Sequence, residues 1–378
     1  MEAFGRRIGL RASSNLGWPH RRFSGGGGSK STSWDPSDVP RSFVRAREAA
    51  RPFAGLDPRQ RIWEIQASMA PKDDHGMTPS YNPRDPERGT WDVVVVGTGM
   101  GGSTAGHLLA QRGRRVLFLE RGMFLFGGAD RGDGGIPTVS DDRPEARLRR
   151  GNWPLPIEGQ TNFGKLEFFA PLGCGSGGTT GLYAAQLERL AECDFKPRAN
   201  HGGIQDSTLP ESWPITYDEF VPFYRRAEDL FRVRGTPDPL APDVEHSLLE
   251  PPPLSPRDQD FLESFRDLGL HPYRAHAAYE FIPGCEECGG VLCPRGCKND
   301  AGRICLMPAL EEHGAQILTE CEVLSLEADA STVRKVRCKW NGRDLTVSGR
   351  IVVLAAGALM TPILLLKSAS PAWPSGLA

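Results

Sequence analysis

Residues Trp91 to Gly122 read WDVVVVGTGMGGSTAGHLLAQRGRRVLFLERG. Four consecutive valines, Val93 to Val96, predict a strand buried on both faces, because β-branched side chains suit a covered pleat. A glycine-rich turn follows directly, and the pattern after it predicts a helix from about Gly102 to Arg112. A second apolar strand is predicted at Arg115 to Leu119, and the acidic residue Glu120 closes it.

The turn Gly97-Thr98-Gly99-Met100-Gly101-Gly102 and the acid Glu120 together predict a dinucleotide-binding site. In such a site Gly97 permits the tight turn, Gly99 lets the backbone approach a pyrophosphate, and Gly102 lets the helix pack close to the sheet. The helix N-terminus offers oriented N–H groups and a partial positive charge to the phosphates. A carboxylate about twenty residues past the glycines can accept hydrogen bonds from an adenosine ribose.

The alternative to a dinucleotide site is an ordinary glycine-rich turn. We favour the dinucleotide site because the strand, the glycines, the helix, the second strand and the acid occur in the required order. Glu120 suits both FAD and NAD. NADP is not expected, because the carboxylate would repel a 2′-phosphate.

The composition is that of an ordinary globular protein long enough for two or more packed regions. The chain has 378 residues, a net charge of -2 and 24% charged residues. A charge so near neutrality argues against nucleic acid as a partner. No transmembrane segment is expected, because no stretch reaches the roughly twenty apolar residues that span a bilayer. The nine cysteines are too few in so long a chain to indicate a disulfide scaffold.

Residues 1–85 are predicted to be a disordered or weakly ordered N-terminal extension. Its beginning is rich in arginine, and Glu2 is the only acid before Asp35. That bias is typical of an organellar transit peptide, but a disordered tail or a start codon placed too early is the favoured interpretation. The chain is therefore expected in the cytoplasm, with an organelle as the alternative.

A second glycine-rich segment, PLGCGSGGTTGLY, runs from Pro171 to Tyr183. So many small residues cannot form a core of their own, whereas they allow the backbone to lie against a flat ligand. We favour a cofactor contact over a plain loop. The residues that carry it are Gly177, Gly178, Thr179 and Thr180.

Helices and strands are also predicted downstream. Thr216 and Glu219 form a capping box that opens a helix. Ser255 and Pro256 start another, whose apolar residues Phe261, Leu262, Phe265 and Leu268 are predicted to face inward. The remaining predicted features are a hairpin turn at Asn341-Gly342, a buried strand Ile351 to Leu354 followed by small residues, and a helix beginning at Thr361 and Pro362.

Five of the nine cysteines lie between Cys285 and Cys305, in the order Cys285-x2-Cys288-x4-Cys293-x3-Cys297 with Cys305 beyond. Such spacing can hold zinc or an iron–sulfur cluster, and Cys288, Cys293 and Cys297 are the candidate ligands. A free-thiol or local structural role without metal is favoured. A cluster would make the protein a dehydrogenase that passes electrons to an electron-acceptor protein.

Five separated motifs, taken together, resemble the N-terminal, FAD-binding part of the glucose–methanol–choline (GMC) oxidoreductases. They lie between Trp91 and Ser368 and read VVVVGTGMGGSTAGHLLA with LERG, LGCGSGGTTGLY, WPITYDEFVPFYRRAEDL, CPRGCKNDAG and IVVLAAGALMTPILLLKS. The resemblance implies FAD rather than NAD. It also implies oxidation of a CH–OH group in a small alcohol or sugar-like substrate, with hydride passing to flavin N5.

The resemblance implies an α/β fold as well, a Rossmann-like doubly wound sheet with a small antiparallel sheet. Residues 86–378 would form this FAD-binding domain, with an excursion at 127–162 and a helical, Cys-rich insertion at 205–305. Each site residue carries over to a position here. Gly97, Gly99 and Gly102 would hold the pyrophosphate, Glu120 the ribose, and Val323 the adenine through its backbone, while Gly177, Gly178, Thr179 and Thr180 would lie near the flavin and Ala356 and Gly357 would close over the cofactor.

Members of the family carry a histidine paired with another histidine or an asparagine beyond the region that matches. No residue of this chain aligns with that pair, so no catalytic base is assigned. We therefore expect a truncated chain without turnover by itself and with poor solubility. The non-enzymatic alternative is a module that binds FAD without catalysis.

Overall fold

The computed structural model describes residues 81–126, 143–199, 207–241 and 245–377. The described residues fall into two compact units, one within 186–277 and the other formed by the residues up to 185 and from 278 onward. Most of the predicted extension, and residues 127–142 of the predicted excursion, lie outside the described residues.

The described residues contain nine strands and six α-helices. The strands are β1 (Trp91–Val96), β2 (Val116–Leu119), β3 (Ile157–Thr161), β4 (Gly164–Phe168), β5 (Gln316–Leu318), β6 (Cys321–Ala328), β7 (Val333–Trp340), β8 (Arg343–Val347) and β9 (Gly349–Leu354). The helices are α1 (Met100–Gln111), α2 (Pro144–Arg149), α3 (Tyr217–Phe231), α4 (Pro256–Asp267), α5 (Met307–Glu311) and α6 (Gly357–Lys367).

A four-stranded parallel sheet in the order β5-β2-β1-β9 forms the centre of the larger unit. In β1, Val93 lies between Val116 of β2 and Ile351 of β9. One face of the sheet packs against α1 and α5, with Phe118 and Leu310 in the same buried cluster as Val93. The predicted buried strand is confirmed, because all four valines are almost fully buried.

The opposite face of the parallel sheet is covered by the antiparallel sheet β6-β7-β8. Val94 and Leu117 pack there with Val336 and Val347. The predicted α/β fold, a parallel sheet accompanied by a small antiparallel sheet, is therefore confirmed. The predicted hairpin at Asn341-Gly342 is confirmed too, since both residues have the positive φ of a two-residue turn, 46° and 77°.

The smaller unit contains α3 and α4. The predicted capping box at the start of α3 is confirmed: the Glu219 N–H donates to Thr216 Oγ1 at 3.3 Å, and the Thr216 N–H donates to Glu219 Oε2 at 2.8 Å. Within the unit, Arg189 donates two hydrogen bonds, of 2.6 and 2.8 Å, to the buried carboxylate of Glu228 on α3. This paired, bidentate contact joins α3 to the segment that precedes it.

Two sequence predictions about helices are wrong. Helix α4 forms as predicted, but Phe261 is 51% exposed and Leu268 is 71% exposed, and no residue of the helix is buried. Helical spacing can place apolar residues on one face, but only a packing partner can bury them. Helix α6 begins at Gly357, before Thr361, and Pro362 lies inside it. Pro362 is the sixth of the eleven residues of this helix, so it costs one backbone hydrogen bond in the helix interior, and Ala358, Leu359 and Met360 favour helix ahead of it.

No helix in the described ranges combines the length and the apolar character needed to cross a bilayer.

Gly101 and Gly102 are adjacent residues in the first turn of helix α1, and substituting each of them tests how closely the helix packs. A methyl group at Gly102 would overlap the carbonyl oxygen of Gly97, whereas one at Gly101 would meet no atom within 4 Å. We expect Gly102→Ala to destabilise the fold by about 1–3 kcal/mol, as overpacking does. Gly101→Ala should be neutral or slightly stabilising, because alanine is the better helix former. Thermal denaturation of both variants checks this, and equal midpoints would contradict the predicted close contact.

Candidate cofactor-binding site

The predicted site residues meet at the carboxyl edge of the parallel sheet, where open α/β sheets bind ligands. The turn after β1 lies between the ends of the neighbouring strands. The Gly97 N–H donates to the carbonyl oxygen of Leu119 at 2.8 Å, and the Ala355 N–H donates to that of Val96 at 2.9 Å. The first glycine turn, Glu120 and the segment after β9 are therefore neighbours.

Gly97 and Gly102 are required by the packing of the protein itself. Gly97 has φ +95°, and a methyl group on it would lie 2.5 Å from the carbonyl oxygen of Ala355. Gly102 is buried against the Gly97 carbonyl and the Ala355 side chain. Because these two residues lack side chains, the turn, the start of α1 and the end of β9 can lie in direct contact.

Gly99 differs from these two, because no atom lies within 4 Å of where its Cβ would be. It is the N-cap of α1, and no side chain caps the helix there. The first backbone N–H groups of a helix need external partners, and they attract anions. An open cradle of backbone at a helix N-terminus fits a pyrophosphate, which is the role predicted for this residue.

Glu120 is buried, and three donors hold its carboxylate. Oε2 accepts hydrogen bonds from the Thr98 N–H at 3.1 Å and from Thr98 Oγ1 at 2.6 Å, while Oε1 accepts one from the Gly122 N–H at 2.8 Å. A carboxylate has about four acceptor sites, so capacity for a ribose hydroxyl remains, on Oε1.

The sequence analysis assigned no role to Thr98, although the structure places its hydroxyl on the carboxylate of Glu120. Thr98 is fully buried, and its carbonyl oxygen accepts a 2.6 Å hydrogen bond from Ser103 Oγ. The sequence feature that could have indicated this role is a hydroxyl-bearing residue between the first two glycines. It became interpretable only once β1 and β2 were paired, because twenty-two residues separate the partners.

The second glycine-rich segment lies directly on the first. A methyl group on Gly178 would lie 2.8 Å from the Cα atom of Gly99, and both Gly177 and Gly178 have positive φ, 89° and 56°. The hydroxyl of Thr180 donates to the Gly177 carbonyl at 2.6 Å and accepts from the Ala301 N–H at 3.0 Å. Thr179 Oγ1 accepts from the Gly173 N–H at 3.0 Å. Both threonine hydroxyls therefore shape the loop.

The remaining predicted contacts lie on strand β6 and after β9. The Cys321 N–H donates to the Glu120 carbonyl oxygen at 2.9 Å, which brings the start of β6 to the acid. Val323 follows two residues later, where the pairing of β6 with β7 is irregular before Ser325. Ala356 is the N-cap of α6, and Gly357 has φ +85° with open space where a Cβ would be.

The structure brings the candidate metal ligands close together. Cys297 Sγ lies 3.4 Å from Cys293 Sγ and 3.3 Å from Cys285 Sγ. Burial acts to raise the pKa of the Cys293 thiol, but hydrogen bonds from the Lys298 N–H, the Cys297 side chain and nearby backbone N–H groups outweigh it and lower that pKa. In the described part of the chain, no three ligand side chains are arranged to hold a metal ion.

Comparison with known proteins identifies the family. A family model described as FAD dependent oxidoreductase matches residues 92–374, which is most of the chain. The chain belongs to the FAD-dependent oxidoreductases. The prediction of FAD as the cofactor is thereby confirmed, and the open turn at Gly99 with the carboxylate of Glu120 fits that cofactor's pyrophosphate and ribose.

Relatives of this FAD-dependent oxidoreductase cover most of the chain. It is 28% identical to 6'''-hydroxyparomomycin C oxidase of Streptomyces lividus, over 82% of this chain and 55% of the relative. The chain is 26% identical to 2-methyl-1,2-propanediol dehydrogenase of Mycolicibacterium austroafricanum, over 76% of this chain and 52% of the relative. A GMC-type oxidoreductase of Sinorhizobium fredii is 24% identical, over 73% of this chain and 49% of the relative. The resemblance to the GMC oxidoreductases is therefore confirmed. The chain spans about half the length of the curated relatives it matches.

Substitution of Gly99 separates cofactor binding from folding. We expect Gly99→Ala to leave the thermal midpoint of the cofactor-free protein unchanged, because its methyl group enters open space. The same methyl group would occupy the cradle predicted for the pyrophosphate, so the Kd for FAD should rise at least about tenfold. Quenching of flavin fluorescence measures this Kd, with Gly101→Ala as the control. An unchanged Kd in Gly99→Ala would remove this residue from the binding site.

Substitution of Thr98 tests the support of Glu120. Thr98→Val keeps the shape of the side chain but removes the hydroxyl that donates to Oε2. A hydrogen bond to a charged group contributes about 1.5–3 kcal/mol to folding, so Thr98→Val should lower the thermal midpoint. The Kd for FAD should also rise, because the Glu120 carboxylate is then held by two donors instead of three. Thr98→Ser retains the hydroxyl and should stay close to the parent protein. Equal FAD affinities for the valine and serine variants would show that the hydroxyl does not matter.

Proposed function

We propose that this polypeptide is the FAD-binding part of an oxidoreductase that oxidises a CH–OH group in a small alcohol or sugar-like substrate. The observation that carries the proposal is the open backbone cradle at Gly99 beside the three-donor carboxylate of Glu120, within a chain that belongs to the FAD-dependent oxidoreductases. The cradle suits an anionic pyrophosphate, and the carboxylate suits a ribose hydroxyl.

The proposed residue roles follow the geometry. The helix N-terminus at Gly99 would bind the pyrophosphate, and Gly97 and Gly102 would keep the turn close enough to the sheet for that contact. Glu120 would bind the ribose, and Val323 would meet the adenine through its backbone. The remaining proposed contacts, near the flavin or closing over the cofactor, are Gly177, Gly178, Thr179, Thr180, Ala356 and Gly357.

Bound FAD supplies a flavin ring that accepts a hydride from the carbinol carbon. The protein's part is to hold the cofactor and to orient it along the carboxyl edge of the sheet. Oxidation of an alcohol also requires a base near the substrate hydroxyl. We assign that role to no described residue.

The names of two relatives support the substrate class. One is an oxidase named for a hydroxyparomomycin, and the other is a dehydrogenase named for a propanediol. Both names contain a hydroxyl-bearing compound, but they differ in the type of enzyme. If the enzyme is a dehydrogenase, we propose that it passes its electrons to an electron-acceptor protein.

Anaerobic reduction of the bound flavin tests the proposal. The experiment uses the whole oxidoreductase that contains this FAD-binding part, which is loaded with FAD and then offered primary alcohols, diols and sugars, with amines and ethers of matched size as controls. We expect loss of flavin absorbance with at least one CH–OH donor and with none of the controls. Failure to bind FAD would refute the cofactor assignment. FAD binding without reduction by any hydroxyl compound would favour the alternative, a non-catalytic FAD-binding module.

A further inference from the structure

Four cysteines of the larger unit form a thiol cluster that the proposed function does not use. Its members are Cys285, Cys288, Cys293 and Cys297, and none of them is in a disulfide. Cys297 is central, since its Sγ atom lies 3.3 Å from that of Cys285 and 3.4 Å from that of Cys293. Contacts this short let a sulfur form a bond after a small side-chain rotation, because a disulfide is about 2.05 Å long.

A buried lysine holds the loop that carries the thiol cluster. Lys298 is fully buried, and its Nζ donates to the carbonyl oxygens of Tyr183, Cys288 and Val291 at 2.9, 2.7 and 2.9 Å. The ammonium therefore has three oxygen partners, two of them inside the loop between Cys285 and Cys297. The thiols are thus brought together by a fully hydrogen-bonded scaffold.

The sulfur spacing favours a covalent sulfur–sulfur bond over a single metal ion. Four sulfurs around zinc lie about 3.8 Å apart, as follows from Zn–S distances of about 2.3 Å in a tetrahedron. The two distances to Cys297 are shorter than this. Within the described ranges, no group of three ligand side chains is placed to hold a metal ion.

Exposure indicates where a reagent could enter the thiol cluster. Cys285 and Cys288 are partly exposed, whereas Cys293 and Cys297 are buried. Of the two partly exposed thiols, Cys285 is the one whose Sγ lies in contact with that of Cys297, at 3.3 Å. An external disulfide can therefore reach Cys285 first, and Cys297 is in position to react next. Cys293 also lies close to Cys297, with the two Sγ atoms 3.4 Å apart, so it can compete for the same sulfur.

We propose that the thiol cluster is a reversible thiol–disulfide site in which Cys297 bonds to Cys285 and can exchange to Cys293, with a low-molecular-weight disulfide as the co-reactant. The Cys285 sulfur attacks the external disulfide RSSR, forms a mixed disulfide and releases one RSH. The Cys297 sulfur then attacks the Cys285 sulfur and releases the second RSH. Two protein thiols are oxidised to one disulfide, RSSR is reduced to two RSH, and no other oxidant is needed.

Exchange follows from the central position of Cys297. The Cys293 sulfur can attack Cys297 in the new disulfide and release the Cys285 thiol, with no net change in oxidation state. Either disulfide closes a loop next to Lys298, so we expect the oxidised protein to have the higher thermal midpoint.

The test equilibrates the full chain with mixtures of reduced and oxidised glutathione, blocks the remaining thiols with N-ethylmaleimide, and measures the intact mass. We expect the oxidised protein to take up two fewer N-ethylmaleimide groups than the reduced protein and to recover both after dithiothreitol. Peptide mapping should find Cys297 joined to Cys285 or Cys293. The readout needs no FAD, so it is independent of the proposed function.

Serine variants locate the bridge. Cys297→Ser should abolish it, and Cys285→Ser should slow its formation, because the partly exposed thiol that meets the external disulfide is lost. Cys193→Ser, which changes an exposed cysteine outside the thiol cluster, is the matched control and should behave as the parent protein does.

Two results would overturn the proposal. One is full alkylation of all four thiols at every glutathione ratio. The other is stoichiometric zinc, or iron with sulfide, in protein purified without oxygen and lost in Cys297→Ser, since that would make the thiol cluster a metal site.

Discussion

The structure depends on a close approach of backbone to backbone at the end of the central strand. Gly102 packs against the carbonyl of Gly97, and Gly97 in turn packs against the carbonyl of Ala355. No side chain fits at either contact. As a result, the first turn of helix α1 lies at the sheet edge, and its unpaired N–H groups are available at Gly99. A larger residue at either position would push the helix away and remove the anion-binding end from the sheet.

The second constraint is the burial of a charge. Glu120 lies at the end of β2 with little exposure to solvent, and such a carboxylate is costly to bury unless donors surround it. Thr98 supplies two donors and Gly122 a third. Three of about four acceptor sites are then used, so the carboxylate is fixed in direction and one site is left for a ligand.

Buried polar groups also organise the loops around this edge. Thr180 ties the second glycine segment to the Ala301 N–H, and Lys298 ties the cysteine loop to the carbonyl of Tyr183. These contacts satisfy groups that would be costly to leave unpaired. They also link the segment placed over Gly99 with the segment that carries the thiols. Packing of apolar side chains holds the sheet together, while hydrogen bonds position its loops.

Local structure around the first turn could be predicted from neighbouring residues alone. The run of valines, the spaced glycines and Glu120 predicted β1, the turn, α1 and the end of β2, because strand burial and turn conformation depend on neighbouring residues. The capping box at Thr216 and the hairpin at Asn341 are local for the same reason. Contacts between groups far apart in the chain became visible only in the folded protein. Thr98 reaches Glu120 through strand pairing, and Lys298 reaches Tyr183 across the chain. Phe261 of helix α4 stays exposed, because burial requires a packing partner that periodicity cannot specify.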